Sequence, residues 1–315
     1  MMEAPAIWRG LLFFGMVSKR GEKTQMLDNV TIISVAFQSG AVLPQMLGSI
    51  PPETPVVIVN NSQADADQIA TMAQGFGAQL VQNSQNTGFG AGCNIGAQLA
   101  QTDYLLFLNP DASLAPDALG ALMEAAERHA SASAFNPVIR GPSGKARLRR
   151  RSLNKTSWFT QRSDLPEDDC DVSGLSGAAL FVRRSDFEAV GGFDPDIFLY
   201  HEDEDLCFRL RQSCGPLMFV RKAEVHHIGG ASTPASLDTV AFKAWHMGRS
   251  GAYVARKNGK AGGYRGALAR AMLQLASPLC WISRRKRVKQ YAILRGVLSA
   301  AKDGGRGFKD TPWQE

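Results

Sequence analysis

Apolar residues in this chain cluster in short, nearly unbroken runs, and each run is followed by a segment of helical spacing. Val30 to Val35 (VTIISV) is a β-branched run that predicts a buried strand, and Leu43, Met46, Leu47 and Ile50 then recur with a helical period. Pro55 to Val59 (PVVIV), Ala78 to Gln82 and Tyr104 to Leu108 (YLLFL) predict three more strands. Between and after them, Asp65 to Gln74, Gly90 to Ala100 and Pro116 to His129 predict helices; the second has a face of small residues and the third opens on a proline. Strand–helix alternation of this kind predicts βαβ units, hence an α/β fold with a mostly parallel sheet flanked by helices. In such sheets ligands sit beyond the carboxyl ends of the strands. That rule selects the polar groups just after each run: Phe37-Gln38-Ser39, Asn60-Asn61-Ser62, Asn83 to Thr87, and Asn109-Pro110-Asp111.

The rhythm breaks between Gly141 and Asp171, where a basic run (Arg147, Arg149, Arg150, Arg151) precedes an acidic one (Asp164, Glu167, Asp168, Asp169, Asp171). A long loop is expected there. Order resumes with a strand at Ser176 to Val182, and beyond Leu237 the pattern is helical. The chain thus divides into residues 1–25, an N-terminal extension expected to be disordered or mis-assigned and lying outside the fold; residues 26–236, the α/β domain; and residues 237–315, a basic helical extension. The apolar stretch Ala4 to Val17 is too short to span a bilayer and carries Arg9 within it.

Charge sharpens this division. Residues 1–140 carry a net charge of −5, residues 141–210 one of −3, and residues 211–315 one of +14. A basic end suits a polyanion, and Tyr264 to Ser283, interrupted by Arg265 and Arg270 and followed by Arg284, Arg285, Lys286, Arg287 and Lys289, has the pattern of an interfacial helix on anionic lipid. A helix docked on the domain with a solvated charged face fits the same pattern. Nucleic acid is not expected as a partner, because no alternation of aromatic and basic residues and no reader motif accompanies the charge. The five cysteines are an odd number without C-x-x-C spacing, which predicts a reducing, cytoplasmic setting and small apolar roles. With 44% hydrophobic and 20% charged residues, disordered and collagen-like classes are excluded.

Three constellations carry chemistry. Asn109-Pro110-Asp111 places a carboxylate at a strand end, where it suits a divalent cation holding a diphosphate; the same tripeptide is good turn chemistry. Glu202-Asp203-Glu204-Asp205 needs neutralisation by metal or arginine and can raise one carboxyl toward the general-base range; it also suits the first turn of a helix. Adjacent His226 and His227 on a strand point opposite ways, so at most one is a ligand.

The ordered series IISVAF (32–37), VIVNNS (57–62), NTGFGAGCN (86–94), LLFLNPD (105–111), SGAALFVRR (176–184), GGFDPDIFLYHEDEDLCFR (191–209) and VHHIGGAST (225–233) resembles glycosyltransferase family 2, in its rhamnosyltransferase-like bacterial branch, over roughly Val30 to Gly259. The resemblance implies a GT-A fold, the Rossmann-like fold of nucleotide-diphospho-sugar transferases, over 26–236. It also implies inverting transfer of a sugar, with rhamnose the one that branch points to, from a nucleoside-diphosphate sugar to a lipid-linked or growing glycan acceptor in cell-surface polysaccharide synthesis. By position, Asp111 matches the metal-binding residue of D-x-D, with Mg²⁺ or Mn²⁺ as cofactor, and His227 the histidine that helps hold metal or diphosphate. Asp203 matches the general base, with neighbouring Glu202 the alternative. Phe37 and Asn60 match positions lining the nucleotide base, with Asn61 beside them in the nucleotide-sugar site, Asn86, Gly88 and Asn94 match the nucleotide loop and helix start, and Asn109 the first position of D-x-D. Gly177, Ala178 and Asp205 fall on the acceptor side. Asn60 and Asn109 stand where many relatives have aspartate, which keeps a second function class open: a catalytically degenerate scaffold or sugar-nucleotide sensor. The enzyme is expected in the cytoplasm, with a peripheral contact at the inner face of the plasma membrane.

Overall fold

The computed structural model describes residues 27–147, 165–229, 236–259 and 263–302. Residues 1–25 and the arginines at 149–151 lie outside the described residues, as does most of the expected loop between Gly141 and Asp171. The ends of that loop form short strands.

Among the described residues ten strands form one sheet: β1 (Val30–Ala36), β2 (Val56–Asn60), β3 (Gln79–Gln82), β4 (Tyr104–Leu108), β5 (Ala112–Leu114), β6 (Ala134–Arg140), β7 (Ala146–Arg147), β8 (Cys170–Asp171), β9 (Ala179–Arg183) and β10 (Leu217–His227). Their order is β3-β2-β1-β4-β9-β6-β10-β5, with β7 on β6 and β8 on β10. The pairs among β3, β2, β1 and β4 are parallel, β9 runs antiparallel to both β4 and β6, and β10 is parallel to β6. Six strands therefore point one way. Chain order reverses between β1 and β4, and the crevice beyond their carboxyl ends is where such a sheet binds ligands.

Both sheet faces are covered, which is why β1 reads as a continuous apolar run and is buried throughout. Alternation along the strands feeds two cores. Ile32, Ile58 and Leu106 join helices α1 (Leu43–Leu47), α2 (Ala66–Gly75) and, farther on, α4 (Ala118–Arg128). Ile33, Val57 and Phe107 face the other way, toward α3 (Phe89–Ala97), α5 (Arg184–Ala189) and α6 (Glu202–Ser213). The small-residue face expected of α3 has a packing reason: a Cβ on Gly96 would lie 2.5 Å from Ile33, so only glycine lets the helix approach β1 this closely.

Two strands and a helix break differ from the pattern expected. β6 and β10 have no clean apolar run, because Asn136 and Pro137 interrupt the first, and the second carries Arg221 and Lys222 at an irregularity in its register. The C-terminal extension is α7 (Leu237–Lys257), α8 (Gly263–Leu275), α9 (Pro278–Ile282) and α10 (Arg284–Lys302). Tyr264 to Ser283 is thus two helices rather than one, since Pro278 disfavours helical backbone at the residue before it. Helix α7 is capped by Ser236, whose Oγ accepts from the Thr239 amide. It packs Ala241, Ala244 and Trp245 against Ala292 of α10.

Candidate active site

The carboxyl end of β4 turns at Asn109 and re-enters the sheet as β5, which pairs antiparallel with the end of β10, Ala112 opposite His227. This register brings two distant segments together: His227 Nε2 lies 3.1 Å from Asp111 Oδ1, and Asn109 Nδ2 lies 3.4 Å from the same nitrogen. The Ile228 amide donates to the Asp111 carbonyl at 3.0 Å, closing the turn. As strand alternation requires, His226 points away, its side chain 56% exposed against 18% for His227. A carboxylate oxygen and an imidazole nitrogen are donors that suit a divalent cation whose remaining positions are filled by diphosphate and water. Asp111 and His227 therefore fit such an ion. Among the described residues no group of three or more acidic, His or Cys side chains would hold a metal alone.

One backbone step away is the second carboxylate. The Asn109 amide donates to the Ala178 carbonyl at 3.0 Å, and the Gly177 amide donates to Asp203 Oδ2 at 3.1 Å. The Ser176-Gly177-Ala178 turn thus joins the Asp111 strand end to the start of α6. Asn136 holds this turn in place: its Oδ1 accepts from the Ser176 amide at 2.6 Å, and its Nδ2 donates to the Ser176 and Ala179 carbonyls. Sequence reasoning missed Asn136, which sits in the middle of a strand with no motif around it.

Helix α6 begins with four acids in its first turn, where the helix dipole favours negative charge. Asp203 Oδ1 accepts from the Glu204 amide at 2.8 Å, and its carboxylate is only partly buried. Glu202 is 8% exposed and turns inward, close enough in charge to raise the buried Cys93 thiol and the Tyr200 hydroxyl; burial is the larger cause in both. Asp205, expected on the acceptor side, is placed elsewhere: it is fully buried between Arg209 at 2.8 Å and Lys257 of α7 at 2.9 Å. Asp194 shares that lysine and accepts from the Tyr253 hydroxyl at 2.9 Å. Burial alone would raise the Asp194 carboxyl, but Lys257, the Asp196 amide and Tyr253 together hold it below the ordinary range.

Tyr200 and His201, just before α6, both have left-handed backbone (φ 66° and 69°), an uncommon state for residues with side chains. Helix α7 braces them. Ser250 Oγ donates to the Leu199 carbonyl at 2.9 Å, and His246 stacks on Phe198 at 4.7 Å between ring centroids.

The expected nucleotide residues form a polar frame along the ends of β2 and β3. Asn60 is fully buried, with its amide spent on the Ser62 backbone and on Gln82. Asn61 donates to the Gly88 carbonyl at 3.0 Å and accepts from Asn83 and Thr87. Asn86 Oδ1 accepts from the Gly88 amide at 2.9 Å. Asn94 makes a two-way amide pair with the Phe193 backbone, both bonds 2.8 Å. The Phe37 amide donates to Ser39 Oγ, which fixes the turn after β1. These side chains shape the loops; Gly88 and Phe89 touch Phe198 directly, the Phe89 amide donating to its carbonyl at 3.0 Å.

The sequence model of Glycosyl transferase family 2 matches residues 31–191, which hold the sheet from β1 to β9. The chain belongs to this family. It is 30% identical over 247 residues to an N-acetylglucosaminyl-diphospho-decaprenol L-rhamnosyltransferase of Mycobacterium tuberculosis, covering 67% of this chain and 80% of that one. It is also 30% identical over 172 residues to the rhamnosyltransferase WbbL of Escherichia coli, covering 50% of this chain and 64% of the relative. In fold it is similar to the mannosyltransferase PcManGT of Pyrobaculum calidifontis, solved with GDP-Man and Mn²⁺: the TM-score is 0.56 at 14% identity, over 92% of this chain and 96% of that one. The family 2 chain is thus a glycosyltransferase of the GT-A fold, and nothing in its site or its relatives supports the scaffold alternative.

Proposed function

We propose that the chain transfers a rhamnosyl group from a nucleoside-diphosphate sugar to a lipid-linked acceptor bearing a sugar diphosphate, with inversion at the anomeric carbon. The observation that carries the reading is the Ser176-Gly177-Ala178 turn, which ties the Asp111 strand end to Asp203: its Ala178 carbonyl accepts from the Asn109 amide and its Gly177 amide donates to the Asp203 carboxylate. Two carboxylates with separate tasks are what a single displacement needs. Asp203, the more accessible of the candidate bases and oriented by the Gly177 and Glu204 amides, takes the proton of the acceptor hydroxyl as its oxygen bonds to the anomeric carbon. The bond from that carbon to the diphosphate breaks in the same step, and the electron pair leaves with the diphosphate. A Mg²⁺ or Mn²⁺ ion, when bound, neutralises charge on the departing diphosphate. Asp111 and His227 would hold it there, and Asn109 lies beside the imidazole. Asn61, Asn86 and Gly88 form the loop beside the nucleotide, and Asn60 and Asn94 fix its two ends. The Mycobacterium tuberculosis relative, named for rhamnosyl transfer to a decaprenyl diphosphate sugar, supports the donor and acceptor classes. Such acceptors and nucleotide sugars meet at the cytoplasmic leaflet, where the enzyme works as a peripheral protein.

The test is transfer itself. Purified protein with Mn²⁺ is incubated with polyprenyl-diphosphate N-acetylglucosamine and a panel of nucleotide sugars, and the lipid product is weighed by mass spectrometry. Gain of one deoxyhexose from a nucleoside-diphosphate rhamnose is expected. Gain of another sugar, or of none in protein shown to be folded, would overturn the reading.

A further inference from the structure

We infer that the end of the C-terminal bundle formed by α8, α9 and the start of α10 is a docking surface for an anionic lipid bilayer. The inference deepens the lipid-linked acceptor reading and rests on it for its purpose. Among the described residues the three most exposed large hydrophobic side chains are Ile282 (82%), Leu273 (75%) and Met272 (58%). Scattered exposed apolar residues are ordinary, but these three lie within eleven positions of one another, across one helix end and the short helix after it. Arg284, Arg285, Lys286 and Arg287 follow at once, and all four are exposed. No acidic residue occurs between Asp238 and Asp303, so nothing in this stretch of sequence offsets that charge. An apolar tip with a basic collar matches the two layers of an anionic membrane surface, acyl boundary and phosphate head groups. A nucleic acid would use the collar and leave the tip in water. No helix among the described residues is long and apolar enough to cross a membrane.

The surface is fixed relative to the site. Helices α7 and α10 meet backbone to backbone: a Cβ on Gly296 would lie 2.0 Å from the Trp245 carbonyl oxygen, and one on Gly248 2.2 Å from that of Ile293. The same α7 holds Leu199 through Ser250 and Asp205 through Lys257. A bilayer bound at the tip is therefore held at a set position relative to α6 and Asp203.

The test is co-sedimentation of the full chain with vesicles of phosphatidylcholine alone or mixed with phosphatidylglycerol. Binding to the anionic vesicles only, weakened by salt, is expected. Each basic residue near such a surface strengthens binding about fivefold, so replacing Arg284, Arg285 and Lys286 by alanine lowers affinity by about 10²-fold. Leu273→Glu with Ile282→Glu removes binding at low salt as well. Because these side chains are exposed, both variants keep the native unfolding midpoint and keep transfer to a short-chain, water-soluble acceptor, while transfer to an acceptor embedded in vesicles falls. Equal binding to neutral vesicles, no binding to either, or variants that bind like the native chain would overturn the inference. So would self-association in analytical ultracentrifugation that Leu273→Glu abolishes, since the face would then belong to a second copy. Absence of transfer to either acceptor by the native chain counts against the transferase reading alone, because vesicle binding is read without turnover.

Discussion

Gly88 joins the nucleotide loop to the segment that leads into α6, and Gly88→Ala measures how much that junction matters. Its backbone (φ 86°, ψ 175°) lies in a region open almost only to glycine, where a side chain costs about 1–3 kcal/mol. A Cβ there would also lie 2.4 Å from the Phe198 carbonyl oxygen, against about 3.3 Å or more for an ordinary carbon–oxygen contact. Phe198 cannot simply retreat, because its carbonyl accepts from the Phe89 amide and its ring is stacked on His246. Overpacking of this kind adds about 1–3 kcal/mol, so the variant should lose about 2–6 kcal/mol in total. Urea unfolding followed by circular dichroism reads the loss, and a nucleotide-diphosphate titration reads the loop. The control is Gly75→Ala at the end of α2, where nothing lies within 4 Å of the added Cβ; it should be neutral or slightly stabilising. A Gly88→Ala protein within about 0.5 kcal/mol of the native one, with unchanged nucleotide affinity, would refute the reasoning.

Removing one member of the ion cluster that ties α7 to α6 should be costly, since Asp205 is fully buried and Lys257→Met leaves it with Arg209 alone. A loss of about 1–3 kcal/mol is expected, most of it recovered in Lys257→Met with Asp205→Asn; a double-mutant cycle showing no coupling would count against the cluster. His246, buried among Phe198, Phe242 and Trp245, has its pKa pushed down from 6.5 to about 3, first by burial and then by the nearby Arg249 charge. The folded state therefore holds it neutral while the unfolded chain binds a proton below about 6.5. Its contribution is complete above that pH and is lost as pH falls toward 3, with a slope of at most ~1.4 kcal/mol per pH unit. His246→Phe should flatten unfolding free energy over that window, and an unchanged slope would show that the group does not titrate on unfolding.

The parallel half of the sheet was legible because β1, β2 and β4 are covered on both faces and so are written as apolar runs. β6 and β10 were not, since Asn136 reads as a strand breaker until its amide is seen pinning the Ser176 turn, and Arg221 and Lys222 sit at an irregularity. The pairing of β5 with β10, which places His227 beside Asp111, is a long-range register that local pattern does not encode. Asp205 was not legible. Helical spacing from Leu206, Cys207 and Leu210 puts Asp203 on their face and Asp205 off it, and Asp205 is buried instead by packing against Arg209 and against Lys257 of α7. What braces the site from α7, Ser250, Tyr253 and Lys257, carries no motif, because each acts through one contact made by tertiary packing.

The central claim is a division of labour: Asp203 takes the acceptor proton, and Asp111 serves the metal and diphosphate. It is tested most directly by measuring, on the same preparations, Mn²⁺-dependent nucleotide-diphosphate binding and transfer for Asp203→Asn and Asp111→Ala. Asp203→Asn should bind as the native chain does and lose transfer by about 10²–10⁴-fold, while Asp111→Ala should lose the metal-dependent part of binding. Native-like transfer by Asp203→Asn, or binding by Asp111→Ala that still responds fully to Mn²⁺, would contradict the account.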